Sequence, residues 1–216
     1  MTLVLGSSSA RRRALLKAVG VVYSLARPDI DETPYPNEAP IAYVQRLSRE
    51  KALAVQPDGT GKLILTADTT VVEAGAIVGK PADADEARIM LQRLRGKAHT
   101  VFTGVSLRDL ATGEIDTRLV ETTVYMRDYS DAEIEAYIAT GEPFDKAGGY
   151  GAQDSDLKPV SRIEGCLTNV IGLPMCVACQ MLAAHQIEAQ HPPTCAPQPS
   201  PNGTPCTFDM RAVDAL

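Results

Sequence analysis

Histidine is scarce in this sequence, tryptophan is absent, and no apolar run is long enough to cross a membrane. Three of the 216 residues are histidine, which argues against a histidine-rich metal site and against a Cys/His catalytic pair. A membrane-spanning helix needs about 20 consecutive apolar residues, and no stretch approaches that length. Residues 1–6 also lack the basic start and the long apolar stretch of a signal peptide. We therefore expect no membrane partner.

An excess of positive charge is also lacking. The chain has 21 Lys and Arg residues against 27 Asp and Glu residues, which gives a formal net charge of −6. This balance argues against general electrostatic binding of nucleic acid. The five cysteines are odd in number and unevenly spaced, as is typical of reduced thiols in the cytosol rather than of a disulfide framework. The composition thus predicts a cytoplasmic protein with no nucleic-acid partner.

The composition changes near residue 190. Residues 191–216 hold six of the fifteen prolines and show no hydrophobic periodicity, which is typical of a flexible segment. The sequence therefore predicts one folded domain over residues 1–189 and a proline-rich, flexible tail over residues 190–216.

Strand and helix patterns are mixed along the predicted domain. Short apolar or alternating stretches predict strands at residues 2–5, 63–72, 77–78, 99–107 and 118–126. Capping residues and prolines predict helices that begin after Ser9, Asp83 and Ser130 and at Pro40 and Pro174. Because the order lacks a strict βαβ rhythm, we expect an α/β fold with a mixed, twisted sheet and flanking helices.

The first unusual segment joins the first strand to the first helix and reads SSSARRR over residues 7–13. Serine hydroxyls and backbone N–H groups at a helix N-terminus form an anion site. The helix dipole disfavours arginine in the first turn, so Arg11 and Arg12 there favour a bound phosphate chain. A solvated basic turn with Ser9 as the helix cap is the alternative.

Lys51 lies on the apolar face of the helix that begins at Pro40, four residues after Leu47. A lysine in that position extends its amine to solvent, pairs with a buried carboxylate or reaches a ligand. Arg46 and Glu50 of the same helix have the i,i+4 spacing of an ordinary exposed pair, and we assign them no function.

Asp68 follows a buried apolar run, at the kind of place where ligand sites of open α/β sheets lie. It is a candidate base or metal ligand, or else a turn residue hydrogen-bonded to Thr70. Lys80 leaves the next strand between Gly79, which permits close approach, and Pro81, which stiffens the exit. Taken by itself, Lys80 is typical of a surface lysine.

A glycine-rich loop at residues 146–153 has three glycines in four positions. Its backbone can approach a ligand closely. Gln153 can both donate to and accept from a nucleobase edge, which suits discrimination between bases. A purely structural glycine loop is the alternative, since the pattern is neither a Walker A motif nor a dinucleotide fingerprint.

Seven segments in this order resemble the Maf family of nucleoside triphosphate pyrophosphatases, over residues 2–188. They are LGSSSARR from Leu5, IDE from Ile30, REKA from Arg49, ADT from Ala67, GKP from Gly79, KAGGYGAQ from Lys146 and NVIGLP from Asn169. Each motif is weak by itself, but the ordered set is highly specific.

The resemblance implies an α/β fold like that of inosine triphosphate pyrophosphatases, with two lobes around a deep cleft, and a homodimer. It also implies hydrolysis of a nucleoside triphosphate between the α- and β-phosphates, which yields the monophosphate and pyrophosphate with Mg²⁺ or Mn²⁺ as cofactor. Residues 1–189 would form the Maf-like domain, and the tail has no counterpart in the family.

The resemblance further assigns roles to single residues. Asp68 matches the catalytic carboxylate that activates water, and Glu32 matches the acidic residue linked to the metal. Both are candidate metal ligands, and the sequence leaves open which of them contacts the metal and which the water. Lys51 and Lys80 would neutralise the charge that develops on the leaving pyrophosphate. The triphosphate would bind to the remaining members of the set, which are Ser7, Ser9, Arg11 and Arg12.

The motif that ends at Gln153 resembles the branch of the family that acts on dTTP and UTP. Arg12, Thr69 and Gln153 match its base-selecting positions, so we expect dTTP and UTP as substrates, with modified pyrimidine nucleotides as further candidates. A 7-methyl-GTP pyrophosphatase of the same family, and a nucleotide-binding regulator of cell division that needs no turnover, are the alternatives. Ala10 departs from the family's usual proline, but alanine suits a first helical turn and activity should survive.

Overall fold

One mixed sheet organises the residues that the computed structural model describes, which are 3–56, 62–154 and 157–193. Within them the strands are β1 (Leu3–Gly6), β2 (Tyr23–Ala26), β3 (Leu63–Glu73), β4 (Ala76–Val78), β5 (Ala98–Asp109), β6 (Ile115–Met126) and β7 (Val160–Glu164). Their order is β2-β1-β3-β5-β6-β7, and β4 pairs with β3 outside this path. The strand β1 is parallel to both neighbours, and the other pairs are antiparallel. The predicted mixed α/β sheet is therefore confirmed.

Helices flank this sheet, and local sequence explains where several of them begin. They are α1 (Ala10–Ala18), α2 (Pro40–Ala54), α3 (Ala84–Leu94), α4 (Asp131–Ala139), α5 (Leu167–Ile171) and α6 (Met175–Ala183). Proline occupies the first turn of α2, where a missing N–H costs nothing. The Asp83 carboxylate accepts from the Glu86 N–H at the start of α3, and Ser130 and Glu133 form a capping box at α4.

The sequence patterns did not predict every element of the fold. Among those missed are the short strands β2 and β7 and the five-residue helix α5, which has no side-chain cap. In both β2 and β7 most residues are exposed or half-buried, so neither strand has the apolar run or the regular alternation that predicts a strand. Each forms by pairing with another strand, β2 with β1 and β7 with β6, and a local sequence pattern does not reveal such pairing.

Two separate hydrophobic clusters form the two lobes that were predicted. One gathers α1 and α6 on β1 and the first half of β3, and the other gathers α3 and α4 around Val71, Val101 and Tyr150. Because β3 contributes Leu63, Leu65 and Ala67 to the first cluster and Val71 to the second, it passes from one lobe to the other. The residues between them, 68–70, lie where a cleft opens.

The helix α2 lies very close to the sheet. A Cβ atom on Gly104 of β5 would lie 2.4 Å from the carbonyl oxygen of Val44 in α2, so only glycine permits this approach. The contact holds the buried face of α2, which includes Lys51, against β3.

The chain after α6 returns to the first helix. The N–H groups of Gln190 and His191 both donate to the carbonyl oxygen of Val19, at 2.8 and 3.2 Å. The predicted boundary between residues 189 and 190 stays a prediction, because residues 194–216 of the expected tail lie outside the described residues. No helix in the described part of the chain has the length and apolar character needed to cross a membrane.

Candidate active site

A cleft of about 580 Å³ opens between the two lobes and brings together all ten side chains that the sequence singled out. They come from segments far apart in the chain and are Ser7, Ser9, Arg11, Arg12, Glu32, Lys51, Asp68, Thr69, Lys80 and Gln153. Convergence of separate segments on one concave, polar site is what a ligand site requires.

The charge of the cleft is opposite to that of the whole chain. Its lining contains five basic side chains and three acidic ones, although the chain carries a net charge of −6. The basic members are Arg11, Arg12, Lys51, Lys80 and Lys146, and the acidic members are Glu32, Asp68 and Asp145. A concave site with this excess attracts a polyanion such as a triphosphate.

Lys51 joins the two carboxylates that were assigned to catalysis. Its Nζ lies 2.6 Å from Asp68 Oδ1 and 2.8 Å from Glu32 Oε1. The side chains of Lys51 and Asp68 are 9% and 8% exposed, whereas that of Glu32 is 52% exposed. The lysine therefore pairs with a buried carboxylate and does not extend to solvent.

The position of Asp68 differs from the expected strand end. It lies in the middle of β3, which runs on without a break from Leu63 to Glu73, so it is not a turn residue. The alternative of a turn residue arose because polar residues occupy the centre of this strand. That centre faces the cleft, and polarity there marks the site rather than a turn.

The charges around Glu32 keep its carboxylate ionised. Partial burial would raise the pKa of Glu32, but the hydrogen bond from Lys51 and the positive charges of Lys51, Lys80 and Arg12 outweigh it and lower the pKa. The cleft thus holds an ionised carboxylate on the exposed side of the lysine.

The turn between β1 and α1 points a helix N-terminus into the cleft. Ser9 caps α1 by accepting from the Arg12 N–H, and Ser7 Oγ accepts from the Ser9 N–H at 3.2 Å. The guanidinium of Arg12 is not solvated as the alternative reading required, since it donates to Ser7 Oγ at 3.4 Å and to Thr69 Oγ1 at 3.2 Å. Burial lowers its pKa, although the charge of Asp68 opposes this effect.

The NVIGLP motif places a backbone carbonyl group in the cleft, beside Arg12 and Thr69. The Gly172 oxygen accepts from Arg12 Nε at 2.8 Å and from Thr69 Oγ1 at 3.3 Å. Gly172 has φ = 126°, which favours glycine in this turn after α5. Asn169 anchors the turn to the sheet, because its amide donates to Val101 O at 3.1 Å and to Thr122 Oγ1 at 3.0 Å.

Sequence reasoning missed the acidic residue at the rim of the cleft. Asp145 accepts from Arg11 Nη1 at 2.8 Å and from Lys146 Nζ at 2.8 Å. Lys146 also donates to the carboxylate and the carbonyl of Glu142, both at 2.6 Å. No local signal identified Asp145, because its partner Arg11 lies 134 residues away in the chain.

The glycine-rich loop contributes to the lining of the cleft. The Gly148 N–H donates to the Gly79 carbonyl at 2.9 Å, which ties this loop to the turn that carries the exposed Lys80. Tyr150 of this loop is buried, and its hydroxyl is 2.6 Å from His99 Nε2. Gln153 lines the cleft from the end of the loop.

Known proteins resemble this chain over most of its length. The family model described as "Maf-like protein" matches residues 2–185. A dTTP/UTP pyrophosphatase of Citrifermentans bemidjiense is 43% identical over 81% of this chain and 91% of its own. That of Syntrophomonas wolfei is 44% identical over 83% of this chain and 95% of its own. That of Myxococcus xanthus is 46% identical over 80% of this chain and 87% of its own. The solved Ham1 protein of Staphylococcus aureus aligns with a TM-score of 0.45 at 10% identity, over 100% of this chain and 96% of its own.

Proposed function

The chain belongs to the Maf family, and from this premise we propose that it hydrolyses dTTP and UTP between the α- and β-phosphates. The products are the nucleoside monophosphate and pyrophosphate. The observation that carries the proposal is the buried Asp68 held by Lys51 beside Glu32, in a basic cleft next to a helix N-terminus. Relatives of similar length that bear the name dTTP/UTP pyrophosphatase support it.

In this reaction Asp68 acts as the general base. Its Oδ2 accepts a proton from the water that cleaves the α–β bond, while Lys51 holds Oδ1. The electron pair of the broken bond leaves with pyrophosphate, whose growing charge is neutralised by Lys51 and Lys80. The triphosphate binds to the hydroxyl, N–H and guanidinium donors of Ser7, Ser9, Arg11 and Arg12. These four residues are assigned to it by the family resemblance.

The donor set in the cleft fits Mg²⁺ or Mn²⁺. No group of three or more His, Cys, Asp or Glu side chains within the described ranges is arranged to hold a metal ion. Mg²⁺ does not need such a group, because it is usually bound through one or two carboxylates together with phosphates and waters. Glu32 and Asp68, which share Lys51, are those two carboxylates in our proposal. A bound divalent ion would polarise the phosphoryl oxygens and orient the attacking water.

Selection of the pyrimidine base is assigned to Arg12, Thr69 and Gln153. The first two share the Gly172 carbonyl, and Gln153 lines the same cleft. An amide that donates and accepts can pair with the O4 and N3–H groups that thymine and uracil both present. Modified pyrimidines that keep these groups belong to the same proposal.

The proposal includes a cytoplasmic location and a homodimer, both carried over from the composition and the family resemblance. Cell fractionation tests the first. Size-exclusion chromatography with light scattering tests the second, because a mass near 46 kDa would support the dimer and a mass near the 23.1 kDa of one chain would refute it.

Product analysis tests the proposed reaction. The purified protein is incubated with dTTP, UTP, CTP or 7-methyl-GTP, with Mg²⁺, Mn²⁺ or a chelator, and the products are separated by ion-exchange chromatography. We expect monophosphate and pyrophosphate from dTTP and UTP only when a metal is present. A preference for 7-methyl-GTP would overturn the assignment of Gln153, and tight binding without turnover would identify a regulator instead of an enzyme.

A further inference from the structure

Arg46 of α2 has a role that its spacing does not suggest. The expectation of an ordinary exposed pair with Glu50 is wrong, because the Arg46 side chain is only 16% exposed and contacts several groups outside its own helix. Within α2 it bonds to Glu50 at 3.0 Å and its guanidinium carbon lies 5.7 Å from the centre of the Tyr43 ring. The contacts outside the helix that the structure describes involve the segment 27–39.

The segment 27–39 has no regular secondary structure, and it carries Glu32. Most of its side chains are exposed, so a hydrophobic core does not fix its position. A carboxylate that must meet a metal and a phosphate needs a backbone held in place. The contacts of this segment with α2 therefore decide where Glu32 lies.

Arg46 makes most of those contacts. It donates to both oxygens of Glu38, at 2.6 and 2.7 Å, and to the Thr33 carbonyl at 3.3 Å. Its guanidinium carbon lies 3.9 Å from the centre of the Tyr35 ring. Glu38 in turn accepts from the Tyr35 N–H at 3.0 Å. One side chain thus binds three residues of the segment that follow Glu32.

A second residue of α2 completes the attachment. The Tyr43 hydroxyl donates to the Glu32 carbonyl at 2.9 Å, and Lys51 holds the Glu32 carboxylate at 2.8 Å. The helix therefore binds the Glu32 backbone, the Glu32 side chain and the residues that follow it.

We propose that Arg46 is a positioning residue, which fixes the segment 27–39 on α2 and so places the Glu32 carboxylate for the metal and the triphosphate. The inference rests on the proposed function. It requires arginine specifically, because a planar guanidinium can donate in several directions and stack on Tyr35 at once. A lysine ammonium lacks the planar arrangement of several donors and the flat surface that stacks on a ring, so Arg46→Lys should not hold the segment 27–39 in place.

The matched control is Arg49 on the same helix. It is exposed and donates to the Ile115 carbonyl and to Thr117 Oγ1 of β6, away from the segment 27–39. Arg49→Met therefore removes the same charge from α2 without touching the Glu32 segment.

Amide hydrogen exchange is the first readout and needs no activity. In Arg46→Met and Arg46→Lys we expect exchange over residues 29–38 to rise at least about tenfold, as a segment that loses its packing opens more often, with α3 and α4 unchanged. Arg49→Met should leave this segment as in the wild type. Unchanged exchange in the Arg46 variants would overturn the proposal.

Metal dependence is the second readout. The Mn²⁺ concentration that half-saturates binding, measured by titration without nucleotide and then in turnover, should rise about 10- to 100-fold in the Arg46 variants. The KM for dTTP at saturating metal should change far less, because Arg46 does not line the cleft. An equal change in the Arg49 control would indicate a loss of charge rather than of position and would overturn the proposal.

A double variant separates action through Glu32 from a general effect. In a Glu32→Gln background, adding Arg46→Met should lower kcat less than about threefold, because interacting residues are not additive. Full additivity would refute the inference. If Arg46→Met does not fold, Glu38→Gln weakens the same contact and carries the same tests. A wild type without turnover would refute the proposed function alone, since exchange and Mn²⁺ binding still decide the role of Arg46.

Discussion

At the scale of single residues, the charge of Lys51 pairs with two carboxylates of the cleft, those of Glu32 and Asp68. Its Nζ is within 2.8 Å of two carboxylates, one of which is buried. A buried ion pair gives little net stability by itself, but removal of one partner leaves an uncompensated charge that is costly. Because the proposed reaction uses the same Asp68 carboxylate that Lys51 holds, we expect one contact to affect both stability and catalysis.

Replacing Lys51 therefore tests the pair directly. Lys51→Met should lower the free energy of unfolding by about 3–5 kcal/mol, measured by urea denaturation at neutral pH. Adding Asp68→Asn to Lys51→Met should recover much of that loss, because the buried charge is then gone. A loss below about 1 kcal/mol in the single variant would show that the pair is not buried in solution.

His99 makes the free energy of unfolding depend on pH below neutrality. Burial lowers its pKa from the ordinary 6.5 to about 4. Between these values the unfolded chain binds a proton that the folded chain does not, so stability falls as the pH falls from 6.5 to 4. This residue contributes a slope of up to about 1.4 kcal/mol per pH unit.

Comparison with a variant isolates that slope. His99→Asn should have a flatter dependence of unfolding free energy on pH than the wild type between pH 4 and 6.5, whatever its absolute stability. The exposed His191 provides the control, and His191→Asn should follow the wild type. Parallel curves for His99→Asn and the wild type would contradict the burial of this imidazole.

At the scale of elements, the sequence predicts what depends on local chemistry. Helices with a side-chain cap at Ser9, Asp83 and Ser130 were found because a cap and its partner are three residues apart. The strand β2 and the helix α5 were missed because their stability comes from tertiary contacts, not from a local pattern.

The candidate site shows the same division. Ten of the residues that line the cleft were predicted because ordered motifs resemble a family, whereas composition and spacing left each of them ambiguous. The roles of Gly172, Asp145 and Arg46 were not predictable. Gly172 contributes a backbone oxygen to Arg12 from 160 residues away, and the partners of the other two are set by the fold.

The contact between α2 and the sheet yields a prediction for Gly104. In Gly104→Ala the new methyl would lie 2.4 Å from the Val44 carbonyl oxygen, so α2 must shift. We expect a loss of at least about 1–3 kcal/mol in unfolding free energy, because overpacking forces the backbone to move. Gly79→Ala is the control for stability, since no atom lies within 4 Å of the added Cβ. Equal stabilities of the two variants would contradict the close approach.

At the scale of the whole molecule, an acidic protein carries a basic cleft. The chain has a net charge of −6, yet the cleft has five basic and three acidic side chains. The overall charge repels a triphosphate at long range, and the cleft attracts it at short range. Binding should therefore depend on the local charges of the cleft rather than on the net charge.

Salt distinguishes these two contributions. Between about 20 mM and about 500 mM KCl, kcat/KM for dTTP should fall about tenfold, because salt screens the attraction inside the cleft. The change should appear mainly in KM. A rise of kcat/KM with salt would mean that repulsion by the acidic surface dominates and would contradict the account.

The central claim is that Asp68, held by Lys51, is the base for cleavage of the α–β bond. The most direct test is metal-dependent pyrophosphate release from dTTP by the wild type and by Asp68→Asn, with dTTP binding measured on both. We predict that kcat falls about 10²- to 10⁴-fold in the variant while binding is retained, because the amide cannot accept the proton of the water. Turnover by Asp68→Asn at the wild-type rate would contradict the claim.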